Sequence, residues 1–434
     1  MRLLPLIAAT YFMVSGGPYG IEDILGGAGF ARAIVILLVL PILWSLPTAL
    51  MIGELASAIP AEGGYYVWVR RALGRFWGFQ EAWLSLAASV FDMAIYPVIF
   101  VDYLSRLAPT LTAGHRGVLW ALSVVIVCAL WNLRGARVVG VGSVILFCAL
   151  LSPFVVLIAF AVVRWHGHGT GTLLQPVAAP DLAGAISVTL WNYMGWDNAS
   201  TVAEEVEDPQ RNYPRAMVGA TALVALTYIL PLLAVGLAGL DASQFAAGAL
   251  GGTGAWADAA RTTAGPLLAL AIVMGGMING SGMFNALMLS YTRVPYAMAE
   301  DGMLSGALAR LFIRRNARGV PWVSVLFCAA IWALALNFTF ERLISIDLVL
   351  YGAALMLEFV ALVVLRRREP ELNRPFRIPG GTAGAITAGI GPTLLIAFAV
   401  YAARGEQVLG MNALLFAAVV AVCGAAAYSV KVFF

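Results

Sequence analysis

The chain has 434 residues, of which 61% are hydrophobic and 11% charged. Soluble domains carry about 25% charged residues, so this chain has too few polar groups to cover a water-facing surface, and lipid is its natural solvent. A formal net charge of +3 gives no reason to expect a nucleic-acid partner, and every basic residue except Lys431 is an arginine.

A helix that crosses a bilayer needs about 20 mostly apolar residues. Twelve such stretches are predicted, at 4–31, 33–57, 76–107, 116–133, 138–163, 182–204, 215–240, 264–299, 320–338, 344–366, 384–402 and 409–430. The first stretch runs into polar, Gly-rich residues rather than a small-residue cleavage site, so no signal peptide is expected. Cys128, Cys148, Cys328 and Cys423 lie in apolar stretches without metal-ligand spacing and read as small buried hydrophobes. His115, His166 and His168 fall in short polar connectors. Glu54, Glu81, Asp102 and Asp347 lie near the ends of stretches, where interfacial water is expected to solvate them, and Arg366, Arg367 and Arg368 read as a membrane edge.

With the N-terminus in the cytoplasm, 19 of the 26 basic residues fall on cytoplasmic segments and 7 on the opposite side. That bias obeys the positive-inside rule and predicts that both termini are cytoplasmic.

Two stretches carry signals of interruption. The first contains Ser15-Gly16-Gly17-Pro18-Tyr19-Gly20 near its centre. Glycine tolerates non-helical backbone and proline removes a donor, so the helix is expected to unwind there rather than merely kink. Unwound backbone at membrane depth must be buried in protein or line a cavity. The sixth stretch contains Trp191-Asn192-Tyr193-Met194-Gly195-Trp196-Asp197-Asn198, a weaker signal by itself. Its place strengthens it, because interrupted helices at corresponding positions of two halves mark a transporter site built on inverted repeats. The expected organisation is a first repeat at 1–163, a second at 182–366 and two appended helices within 384–434. The fold class is thus an all-α membrane protein of twelve transmembrane helices with a five-plus-five inverted repeat.

The segments SGGPYGIEDI (15–24), PILWSLPTALMIGELASAIPAEGGYYVWVRRALG (41–74), FWGFQEAW (76–83), DMAIYPVIFVDY (92–103) and WNYMGWDNASTVAEEVEDPQRNYP (191–214) resemble permeases of the amino acid–polyamine–organocation superfamily. The likeness is greatest to plant polyamine uptake transporters and their bacterial relatives. Close similarity covers 11–105 and 186–216. It implies a fold of the leucine-transporter type and secondary active transport. The tails are shorter than those of the plant members, which suggests a bacterial inner-membrane protein.

A charge at mid-bilayer costs about 2.5–3.5 kcal/mol or more, so intramembrane acids should face a cavity or a partner. Glu22 and Asp23 follow the first break, Asp92 lies mid-helix, Asp197 sits in the second break and Glu358 lies further along. Glu22, Asp92 and Asp197 are candidates for substrate contact and for proton coupling; an interhelical hydrogen bond or a helix-end role is the plainer alternative for each. Asp23 is weaker, because one of two adjacent acids must point away, and Glu358 reads as structural or cavity-lining. Tyr19, Tyr96, Trp191, Tyr193 and Trp196 supply aromatic faces for an ammonium group, and Asp92 and Tyr96 share a helix face. Ser15, Gly16 and Gly17 complete the predicted substrate site. Free N–H groups at the glycines would suit a carboxylate and hence an amino acid; the clustered acids favour a polyamine.

At the cytoplasmic end, Glu204 or Glu205 is expected to pair with Arg70, Arg71 or Arg215 as a gate. Asn279, Ser281 and Ser290 leave a sodium site undecided, and a proton is the preferred coupling ion. No cofactor, metal or catalytic residue is expected; the predicted partners are a small polar solute and the lipid bilayer.

Overall fold

The computed structural model describes every residue except 166–169, 178–179, 246–253, 337–342, 409 and 434. His166 and His168 lie outside the described residues. Lipid offers no partner to backbone N–H and C=O groups, so a spanning segment must satisfy them internally. The regular structure among the described residues is accordingly helical, apart from a small hairpin of Gln407–Val408 against Met411–Asn412.

Among the described residues nine helices are long and apolar enough to cross a membrane: Phe30–Ala58, Arg75–Leu107, His115–Asn132, Ala136–Arg164, Pro209–Leu237, Pro266–Glu300, Ile344–Arg368, Gly381–Ala403 and Ala413–Val430. Leu3–Val14 and Trp322–Ala335 are shorter apolar helices. The predicted stretches 4–31 and 182–204 are not continuous helices. The first becomes Leu3–Val14 and Glu22–Ala28, and the second becomes Leu182–Asn192 followed by the 3-10 turns Trp196–Thr201 and Ala203–Glu205. The end of the predicted stretch 320–338 falls on undescribed residues.

Burial separates inner from outer helices. In Ile344–Arg368, Pro266–Glu300 and Arg75–Leu107, 67%, 61% and 56% of the most apolar window is buried, against 22% in Gly381–Ala403 and 17% in Ala413–Val430. The last two therefore flank the bundle. Cys128 and Cys328 are buried as expected, but Cys148 on Ala136–Arg164 and Cys423 on Ala413–Val430 are exposed, where lipid accepts a thiol as readily as a protein core does.

Two amphipathic helices lie outside the predicted stretches, Tyr65–Leu73 and Ala255–Ala264. Their polar faces dilute the hydropathy on which the prediction rests. Tyr65–Leu73 buries Tyr65, Tyr66, Trp68, Val69 and Ala72.

The acids near helix ends are not solvated. Glu54 and Glu81 are 0% exposed and Asp347 1%; Asp102 alone remains half-exposed. Glu54 accepts from Arg366 Nε at 2.8 Å and from the Ile378 N–H at 2.8 Å, and Arg374 Nε lies 3.5 Å away. Arg366 is thus a buried tie between Phe30–Ala58 and Ile344–Arg368, not an edge marker. Arg368 donates to the Ala72 carbonyl at 3.0 Å.

Candidate functional site

The two breaks meet. The opening helix ends at Val14, and backbone from Ser15 to Ile21 is unwound. Gly17 takes φ +80°, a conformation that a side chain would oppose. Several of the freed polar groups find partners, as burial demands. The Gly17 N–H donates to Ser15 Oγ at 3.1 Å and the Gly20 N–H to Glu22 Oε2 at 2.7 Å. Trp256 Nε1 donates to the Pro18 carbonyl at 2.7 Å. In the second break Trp44 Nε1 donates to the Tyr193 carbonyl at 3.0 Å, and Tyr228 donates to the Asn192 carbonyl at 2.8 Å. Asn192 Nδ2 reaches across to the Gly20 carbonyl at 3.3 Å.

Between the breaks lies a narrow, partly enclosed cleft with room for about one or two waters. The first break contributes Gly16, Tyr19, Gly20 and Asp23, the second Trp191 and Asn192. Helix Arg75–Leu107 adds Tyr96 and Tyr103, and Pro266–Glu300 adds Asn279 and Met283. Its walls are aromatic and fixed. The Tyr19 hydroxyl donates to the Ile272 carbonyl at 2.6 Å, and its ring meets Tyr103 edge-on at 5.3 Å. Tyr96 stacks parallel to Trp191 at 6.5 Å and donates to Asp92 Oδ1 at 2.6 Å. Asp92 therefore backs the aromatic wall. Asp347 is within electrostatic reach of Asp92, with Trp191 close to both. Asn279 Oδ1 is buried without a hydrogen-bond partner. It approaches so closely that a Cβ on Gly16 would lie 1.5 Å from it.

Of the predicted site residues, Gly16, Tyr19, Tyr96 and Trp191 line the cleft. Asp92 stands behind it. Ser15, Gly17 and Glu22 hold the unwound backbone, and Arg106 lies within electrostatic reach of Glu22. Asp23, the weaker of the adjacent acids by sequence, faces the cleft, whereas Glu22 folds back on Gly20. Tyr193 turns away and donates to the Leu37 carbonyl at 3.1 Å, and Trp196 is fully buried. Asp197 accepts from the Tyr351 hydroxyl at 2.5 Å. Ser290 donates to Asn198 Oδ1 at 2.7 Å and Ser281 to the Met277 carbonyl at 2.9 Å. Sequence reasoning did not single out Asn192 or Tyr103. The many glycines around Asn279 (GGMINGSG, 275–282) were the signal that this helix approaches its neighbours closely.

The opposite end of the bundle is laced by ion pairs. Arg70 pairs with Asp301 at 3.0 Å and Arg71 with Glu369 at 2.6 Å. Fully buried Arg293 pairs with Glu205, and Arg315 with Glu62, both at 2.8 Å. The expected pairing of Glu204 or Glu205 with Arg70, Arg71 or Arg215 is not formed. Arg70 and Arg71 have other partners, Glu205 takes Arg293, and Glu204 is exposed. Glu62 also bridges through its backbone to Val202, so this layer grips the second break. Burial pushes the Glu62 carboxyl up to about 7, against the pull of Arg293 and Arg315.

Residues 7–425 match the family profile described as amino acid permease. A polyamine transporter of Oryza sativa subsp. japonica is 37% identical over 403 residues, which cover 92% of this chain and 73% of that protein. A polyamine transporter of Arabidopsis thaliana is 35% identical over 397 residues, 91% of this chain and 79% of the relative. A serine/threonine exchanger of Bacillus subtilis (strain 168) is 25% identical over 338 residues, 77% and 75% of the two chains. This chain is a multi-pass membrane protein that belongs to the amino acid permease family.

Proposed function

We propose that the protein is a secondary transporter, not an enzyme, that imports polyamines or related cationic amines with protons by alternating access. The reading takes the two broken segments as spans one and six of twelve, arranged as five plus five with two appended. It sets the arginine-rich end in the cytoplasm of the cell membrane. The cleft then opens outward while the layer of Arg293–Glu205 and Arg315–Glu62 closes the inside.

One observation carries the choice of substrate. Of Gly16 and Gly17, whose N–H groups would hold an amino-acid carboxylate, Gly17 already donates to Ser15, and the neighbouring Gly20 N–H donates to Glu22. Among the described residues the cleft lining meanwhile holds an acid, Asp23, and no Arg or Lys. Aromatic faces and nearby carboxylates attract ammonium groups, and the same aromatic faces suit the thin apolar rod between them. The family profile and the serine/threonine exchanger favour the second reading, an amino-acid permease.

Uptake into proteoliposomes under an inward proton gradient separates the two, with spermidine, putrescine, arginine and leucine compared. Asp92 acts from behind Tyr96, and a charge at about 8 Å in a semi-polar site is worth about 2 kcal/mol, so Asp92→Asn is expected to lower spermidine uptake by about tenfold or more. Leucine uptake that dominates and survives Asp92→Asn would establish the amino-acid reading instead. Uptake that needs sodium and ignores the proton gradient would remove proton coupling.

A further inference from the structure

A second group of carboxyls lies apart from the cleft. Glu358 on helix Ile344–Arg368 is within electrostatic reach of Glu81, on Arg75–Leu107, and of Asp197 in the second break. All three are buried, at 0%, 0% and 3% exposure. Their hydrogen bonds are unequal. Asp197 accepts from Tyr351 and Glu81 Oε1 accepts from Ser85 Oγ at 2.8 Å. Glu81 Oε2 and both oxygens of Glu358 have no donor. The Tyr65 hydroxyl, 0% exposed and also without a partner, lies within electrostatic reach of all three acids.

Among the described residues the surrounding elements supply no neutralising cation. Arg70, on the helix of Tyr65, pairs with Asp301, and Arg366, on the helix of Glu358, is engaged by Glu54. Tyr291 on Pro266–Glu300 faces Asp197 and Tyr65. Of the flanking helices, Gly381–Ala403 carries as its one titratable side chain Tyr401, which is 60% exposed. On Ala413–Val430, Tyr428 packs on Phe76 and Phe79, and Cys423 is exposed. A buried carboxylate with neither donor nor cation, beside two other acids, is an uncompensated charge that a bound proton removes. Among the described residues no three acids, histidines or cysteines are placed to hold a metal ion. A proton needs no coordination shell and no cavity.

We propose that Glu358 carries the coupling proton. The inference rests on the proton-coupled reading above, but assigns the proton to a site outside the substrate cleft. Tyr351 connects it to the moving parts. Its hydroxyl accepts from the Gly195 N–H at 2.9 Å, donates to Asp197 and lies within electrostatic reach of Glu358. While Glu358 is a neutral acid, Tyr351 holds Asp197 and the second break in place. When Glu358 releases its proton, the new carboxylate repels Asp197 and so loosens the clamp that Tyr351 forms on Asp197 and the Gly195 N–H, which frees the segment that ends in the inner ion-pair layer.

The test uses purified full-length protein in proteoliposomes, with spermidine uptake and spermidine counterflow measured side by side. An inward gradient of about one pH unit gives wild type about tenfold accumulation for one coupled proton. Glu358→Gln is expected to lose that stimulation and to retain counterflow, which requires substrate binding and turnover but no net proton movement. Stimulation that persists in Glu358→Gln, or loss of counterflow in a folded variant, overturns the assignment. A wild type that ignores the gradient overturns proton coupling itself, and this assignment with it. If Glu358→Gln fails to fold, Glu81→Gln decides. Removing that neighbouring acid is expected to move the pH profile of uptake to lower pH by about one unit, and an unmoved profile overturns the proposal.

Discussion

Gly195 joins the two breaks, and replacing it with alanine tests whether that junction matters. Its φ is +92°, and an added Cβ would lie 2.4 Å from the Met13 carbonyl oxygen and 3.5 Å from Asn198 Nδ2. The left-handed backbone alone costs a side chain about 1–2 kcal/mol. The overlap is with backbone, so no rotamer relieves it, and overpacking of this kind costs about 1–3 kcal/mol more. The sum, about 2–5 kcal/mol, can be met only by separating the end of Leu3–Val14 from the second break or by breaking the hydrogen bond from the Gly195 N–H to Tyr351. Either change disturbs both walls of the cleft. Gly195→Ala should therefore lower the melting temperature in detergent and cut substrate turnover by more than about tenfold, since each 1.4 kcal/mol is tenfold. Gly405→Ala is the control, because its Cβ would meet nothing within 4 Å. A Gly195→Ala protein that melts and transports like the control would show that the breaks do not touch as described.

Glu54→Gln leaves Arg366 buried without its carboxylate and is expected to destabilise the folded chain by about 3–5 kcal/mol, read as a fall in melting temperature, whereas exposed-pair variants such as Arg2→Ala should change little. The Glu62 carboxyl, held up near 7 by burial, is neutral below that pH and ionised above it, so the Arg315 clasp is complete only on the alkaline side. The charges facing it are Arg293, Arg315, Glu204 and Glu205. A cysteine placed at Ala203 should label faster as pH falls through about 7, once rates are normalised to unfolded protein at the same pH to remove thiolate chemistry. Glu62→Gln should label rapidly at every pH; a rate in wild type that stays flat would rule the clasp out as a pH-sensitive seal.

Helix positions were legible in the sequence because lipid removes every alternative for the backbone, and long apolar runs then have one outcome. Both interruptions were legible for the same reason: three glycines and a proline beside Tyr19, and Gly195 among Trp196, Asp197 and Asn198, mark backbone that needs partners other than its own helix. The amphipathic helix Tyr65–Leu73 was not legible, since its arginines lower its hydropathy while its aromatic face is buried.

Composition and order along the chain thus determined the solvent, the helices and the places where they break. Tertiary structure alone decided which of Glu22 and Asp23 faces the cleft, that Arg366 belongs to Glu54 and Glu205 to Arg293, and that Glu81, Asp197 and Glu358 stand together. These are pairings between segments up to hundreds of residues apart. Hydropathy places each residue at a depth in its own helix, but a partner also depends on the rotation and tilt of the neighbouring helix, which only packing sets.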